Sequence, residues 1–116
     1  TNLHQLEGAE HYLLIFWSST CGHCLDELPK VKKMIADKPN LKVVAFGLEN
    51  EADGWEKAIK NYPDFIHQIG LDKWDNPVVK TYGVSATPMY FLLSASKIIM
   101  AKPYELGDLE VILQGL

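Results

Sequence analysis

Arginine is absent from this chain: all eleven basic residues are lysines, and the formal net charge is −4. Without guanidinium groups or a basic cluster, nucleic-acid binding has no electrostatic footprint, and no nucleic-acid partner is expected. Long apolar runs are missing too, and none approaches the ~20 residues that cross a bilayer. Cysteine is scarce. Cys21 and Cys24 are the only two, so neither can pair elsewhere in the fold. Internal repeats, linkers and low-complexity stretches are likewise missing. A length of 116 residues, 47% of them hydrophobic and 22% charged, suits one compact domain over residues 1–116. The first residue is Thr1 rather than methionine, which predicts a processed or excised segment that has lost any signal peptide or lipid anchor.

What is present centres on Cys21-Gly22-His23-Cys24, where the apolar run Tyr12–Trp17 gives way to a helical pattern. Two intervening residues on the first turn of a helix let the sulfurs approach bonding distance. The ring they close is small, so it restrains little unfolded-chain entropy and makes a poor staple. The helix start offers free N–H groups and a positive dipole end, both of which favour thiolate over thiol. An easily switched dithiol in that setting points to redox chemistry. A zinc site would need two more ligands, and His4, His11 and His67 lack paired spacing. No metal and no bound cofactor are expected.

Residues 12–17 read as a buried strand. Leu25, Leu28, Val31, Met34 and Ile35 give a helix from Gly22 to about Asp37, bent at Pro29. Leu41–Gly47 is a second buried strand. Asp53 and Glu56 form a capping-box-like pair for a second helix that Pro63 ends. A short strand is expected over Phe65–Ile69, and Asn76-Pro77 with Gly83 bracket a short helix at 77–82. Met89–Leu93 and Lys97–Ala101 read as a hairpin joined by Ser94-Ala95-Ser96, and Asp108 as the cap of a last helix. The order predicts an α/β protein with a mixed central sheet and helices on both faces.

Together these residues resemble a thioredoxin-fold protein. Trp17, three residues, the Cys21–Cys24 motif and Pro29 resemble the family's active-site segment. Val84-Ser85-Ala86-Thr87-Pro88 resembles its proline loop. Within the superfamily the chain is similar to the TlpA/ResA-like envelope reductases, including Bacteroidetes-type proteins. Glu27 follows Cys24 by three residues and Pro29 by five, and a segment between about Asn61 and Asn76 resembles the insertion such proteins carry between the second strand and the proline region. Two positions depart from a cytosolic thioredoxin. Ile15 stands where that protein has a buried aspartate, and Gly-His replaces Gly-Pro between the cysteines.

The resemblance implies a thiol–disulfide oxidoreductase that reduces or exchanges protein disulfides through a mixed disulfide, located outside the cytoplasm. Its partners would be disulfide-bearing proteins and an upstream thiol electron donor, membrane-bound in such systems. Cys21 is the expected nucleophile and Cys24 the resolving thiol. Glu27 is the acid expected to carry the proton Cys24 must gain or lose. Gly22 and His23 are expected to tune the pair, with His23 stabilising the Cys21 thiolate. Thr87 and a cis Pro88 are expected to meet substrate backbone, and Trp17 to serve either as substrate-facing surface or as a core aromatic. Glu49, Asp72 and Asp75 read as solvated charge. Two other readings compete: a binding or assembly module with a vestigial dithiol, and a peroxiredoxin-type peroxidase, which the missing arginine disfavours.

Overall fold

The computed structural model describes residues 3 and 6–116; His4 lies outside them. Strand β1 (His11–Trp17) is buried on both faces from Tyr12 onward, as a central strand must be. It runs parallel to β2 (Leu41–Leu48) and antiparallel to β4 (Met89–Ser94). Strand β3 (Ile66–Gly70) extends the sheet parallel to β2, and β5 (Ile99–Ala101) closes the other side antiparallel to β4. The order is β3-β2-β1-β4-β5, the mixed α/β sheet that the sequence predicts.

Alternation along β1 divides the core. Leu13, Ile15 and Trp17 face helix α1 (Gly22–Ile35) and helix α4 (Leu106–Gln114), with Leu28, Val31, Leu109 and Leu113 buried against them. Trp55 and Ala58 of α2 (Asp53–Ala58) pack at the edge of the same layer. Tyr12, Leu14 and Phe16 face the opposite side, where Val78, Val79 and Tyr82 of α3 (Pro77–Tyr82) cover them. Phe16 anchors that layer, with its ring centroid 5.2 Å from Tyr82 and 5.9 Å from Phe91.

Local chemistry explains most boundaries. Asn76 caps α3 by accepting from the Val78 N–H, Pro77 fills the first turn where no donor is needed, and Gly83 leaves through a left-handed φ of 64°. Pro29 sits inside α1, where its missing N–H leaves the Leu25 carbonyl without its helical donor.

Elsewhere the structure corrects the sequence reading. Asp53 does not cap α2: Ala52 holds the cap position without a side-chain bond, and Asp53 and Glu56 lie within the first turn, where their charge meets the helix dipole. The helix ends at Ala58 and passes into a 3₁₀ turn over Ile59–Asn61. Asp108 is not the cap of α4 either. Glu105 is, and Asp108 completes the capping box from three residues further on. The hairpin turn takes up Lys97, which adopts a φ of 68°, so β5 begins only at Ile99.

Candidate functional site

The parallel pairing of β1 with β2 sets Trp17 beside Gly47, so the carboxyl ends of both strands open at one end of the sheet, where α/β folds place their sites. The chain leaves β1 through Ser18-Ser19-Thr20 and enters α1 at Cys21. Cys21 is the N-cap residue: its backbone is extended (φ −94°, ψ 106°) and its Sγ accepts from the Cys24 N–H at 3.1 Å. A sulfur thus does what a serine oxygen does at an ordinary N-cap. Both cysteines are free thiols, Cys21 partly exposed and Cys24 fully buried one turn below.

The two sulfurs differ in acidity. Partial burial pushes Cys21 up, but hydrogen bonds from the Cys24 side chain, from Thr87 and from the backbone of Cys24 and His23 outweigh it and leave the pKa below its ordinary 9.0. Burial and the hydrogen bond with Cys21 push Cys24 up to about 12, against a smaller opposing effect of the Ser18 backbone. Cys21 Sγ also lies 3.6 Å from the Thr87 carbonyl, across the joint with the proline loop. The Thr87–Pro88 peptide is cis. Thr87 and Pro88 line a groove of about 880 Å³ with His23, Glu27, Tyr90 and Tyr104. The cysteines border this groove through Thr87 rather than line it.

Glu27 is buried on α1 one turn beyond Cys24. Its Oε1 accepts from the Tyr90 hydroxyl at 2.8 Å, and its Oε2 lies 2.6 Å from His23 Nε2, on the preceding turn. Burial first, then the bonded carboxylate and the nearby sulfurs, hold the Tyr90 hydroxyl far above its usual range, so it stays a donor. His23, Glu27 and Tyr90 therefore form one chain from solvent to the interior beside the dithiol.

Two expectations change at this point. The His23 side chain turns toward Glu27; what it offers Cys21 is its backbone N–H. Trp17 is fully buried among Leu13, Ile15 and Leu28, so its ring presents no surface to a substrate and it is a core aromatic. Gly22 sits in the first turn of α1 with open space where a Cβ would stand.

Sequence reasoning missed Tyr90 and Glu49. Alternation from Leu92 puts Tyr90 on the α1 face of β4, a signal available once that face is assigned. Glu49 is only 2% exposed, not solvated. Its carboxylate accepts from the Ser19 N–H at 2.5 Å, from Ser19 Oγ at 3.0 Å and from Ser18 Oγ at 3.2 Å. The available signal is its place just past the carboxyl end of β2, beside the end of β1. Asp72 and Asp75 are exposed, as read from the sequence. Among the described residues no group of three or more His, Cys, Asp or Glu side chains converges as a metal site would require.

A family model described as Thioredoxin-like matches residues 8–99. The chain belongs to this thioredoxin-like family. A search of curated proteins gives no match. Solved structures share the fold. A thioredoxin-like protein from Aeropyrum pernix superimposes with a TM-score of 0.82 at 16% identity, covering 100% of this chain and 83% of that one. A thiol-disulfide oxidoreductase from Bacteroides fragilis gives 0.76 at 24% identity, covering 91% and 80%. A domain of a possible thiol-disulfide isomerase from Cytophaga hutchinsonii gives 0.76 at 27% identity, covering 97% and 78%.

Proposed function

We propose that this protein exchanges thiols with protein disulfides through Cys21 and Cys24, acting as a disulfide reductase outside the cytoplasm. The observation that carries the reading is the division of labour between the sulfurs: Cys21 is reachable and more acidic than an ordinary thiol, while Cys24 is buried and held protonated. A nucleophile and a resolving thiol need those properties. The similarity to structures titled thiol-disulfide oxidoreductase and thiol-disulfide isomerase supports it.

In the proposed reaction the Cys21 thiolate attacks one sulfur of a substrate disulfide, and the other sulfur leaves as a thiolate. The substrate's extended backbone lies along Thr87 and Pro88. Cys24 then loses its proton and attacks Cys21, closing the Cys21–Cys24 disulfide and releasing the reduced substrate. Glu27 takes that proton, with Tyr90 holding one oxygen and His23 connecting the other to solvent. An upstream thiol donor, membrane-anchored in such systems, restores the dithiol with two electrons.

Insulin reduction by dithiothreitol tests this reading. The protein accelerates it, Cys21→Ser abolishes the acceleration, and Cys24→Ser accumulates a mixed disulfide. A folded protein that accelerates neither this reaction nor peroxide consumption would be a binding module instead.

A further inference from the structure

Tyr104 is 91% exposed, further out than any other large apolar side chain among the described residues. The helix that follows offers it an alternative. Glu105 caps α4, so Tyr104 is the residue before the cap and Leu109 the fourth of the helix. Apolar residues at those two places often pack on each other as a staple. Here Leu109 is buried in the core with Leu28 and Leu113. The Tyr104 ring stays in solvent, and among the described residues it has no hydrogen bond or ring partner. The backbone on either side is anchored. Pro103 is buried, with φ fixed by its ring, and the Glu105 N–H donates to Asp108 Oδ2 at 3.2 Å. A large aromatic is thus presented outward from a firm loop.

What it faces is the groove shared with the dithiol. Tyr104 and Gly107 line that groove together with Thr87 and Pro88, and the Thr87 carbonyl lies 3.6 Å from Cys21 Sγ. Gly107 has neither a left-handed φ nor any atom within 4 Å of where a Cβ would stand. Nothing in the fold calls for glycine there, and the lining stays bare backbone that a substrate strand can approach.

We propose that Tyr104 is a specificity-determining residue, whose ring packs on an aromatic side chain close to the attacked cysteine of a protein substrate. The inference rests on the exchange reaction proposed above and names the substrate class its site takes. Side chains alternate along an extended segment, so residues two positions from the cysteine share its face, about 7 Å away. Those side chains enter the groove that begins at Thr87. Tyrosine suits the task because it offers a broad apolar face with only two torsions to fix. One aromatic pair adds about fivefold to binding beyond the area it buries.

Two uncharged peptides test this, each with one cysteine linked by a disulfide to thionitrobenzoate. They differ only two positions to either side of the cysteine, with phenylalanine in one and serine in the other. The Cys21 thiolate attacks the peptide sulfur, the Cys21–peptide bond forms, and thionitrobenzoate leaves as a coloured thiolate. Cys24 then attacks Cys21, the Cys21–Cys24 bond forms, and its proton ends on the departing peptide sulfur. The protein loses two electrons and the peptide disulfide gains them. Dividing each rate by that of dithiothreitol with the same peptide removes the peptides' own reactivity. The wild type is expected to prefer the phenylalanine peptide about fivefold. Tyr104→Phe should keep that preference and Tyr104→Ala should lose it, with all three proteins unfolding at the same urea midpoint.

A wild-type preference below about twofold, one that survives in Tyr104→Ala, or one lost in Tyr104→Phe would overturn the role. So would a lower urea midpoint for Tyr104→Ala, which would mean that the ring packs on the fold. In each case thionitrobenzoate is still released, and the exchange reaction stands. No release from either peptide by the folded wild type would overturn the exchange reaction itself, and this role with it.

Discussion

The two thiols of one tetrapeptide should titrate at least about three units apart. With a pKa of about 12, Cys24 is ionised in roughly one molecule in 10⁴ at pH 8. Cys21, below 9.0, is ionised in more than about one in ten. The thousandfold ratio in thiolate is partly offset because the more basic sulfur is intrinsically the better nucleophile, by about 30-fold over three units. Cys21 should therefore be alkylated at least ~30 times faster than Cys24, before the full burial of Cys24 is counted. The assay is iodoacetamide labelling of the reduced, folded protein from pH 6 to 10, with each site read by peptide mass spectrometry. Stability supplies a second readout with a definite sign. The native Cys24 keeps its proton to higher pH than the unfolded chain does. Its contribution is complete below the ordinary 9.0 and is lost as pH rises toward about 12, at ~1.4 kcal/mol per pH unit. Cys21 acts oppositely: its contribution is present above 9.0 and lost as pH falls through its lower native value. Comparable labelling of the two cysteines, or a Cys21 midpoint at or above 9.0, would mean that the fold does not separate the two sulfurs.

Tyr90→Phe deletes the donor to Glu27 Oε1 and should cost about 1.5–3 kcal/mol, the range for a hydrogen bond to a charged group. A urea midpoint equal to that of the wild type would count against a carboxylate held there. His23→Ala removes the ring beside Glu27 but not the backbone N–H that serves Cys21. Its Cys21 alkylation midpoint should stay within about half a unit of the wild type, and a larger upward shift would return the ring to the thiolate.

The pieces legible in the sequence are those fixed by near neighbours. Cys21 at the start of a helix, Asn76-Pro77 opening another and the apolar run of β1 each carry their cause within a few residues. Trp17 is ambiguous in the sequence because its burial depends on Leu28 and on the sheet face, and neither is decided by the strand alone. Glu49 is illegible for the same reason. Its donors lie about thirty residues earlier, and a glutamate after a strand looks solvated until the parallel partner places serines against it. The helix caps failed differently. Asp53 and Asp108 lie in the first turns that the sequence predicts, but Ala52 and Glu105 hold the cap positions. Composition marks where a helix begins, and only backbone geometry assigns which residue is the cap.

The central place of β1 has a consequence for biosynthesis. Its antiparallel neighbour, β4, lies far downstream, and Thr87, which touches Cys21, follows it by 66 residues. At the usual pace of translation, about 5–20 residues per second, that gap is ~3–13 s. Throughout it the nascent dithiol has emerged without the loop that flanks it, and β1 has at least the β4 edge unoccupied. A newborn chain is thus open to wrong thiol partners during an interval that the finished protein never revisits.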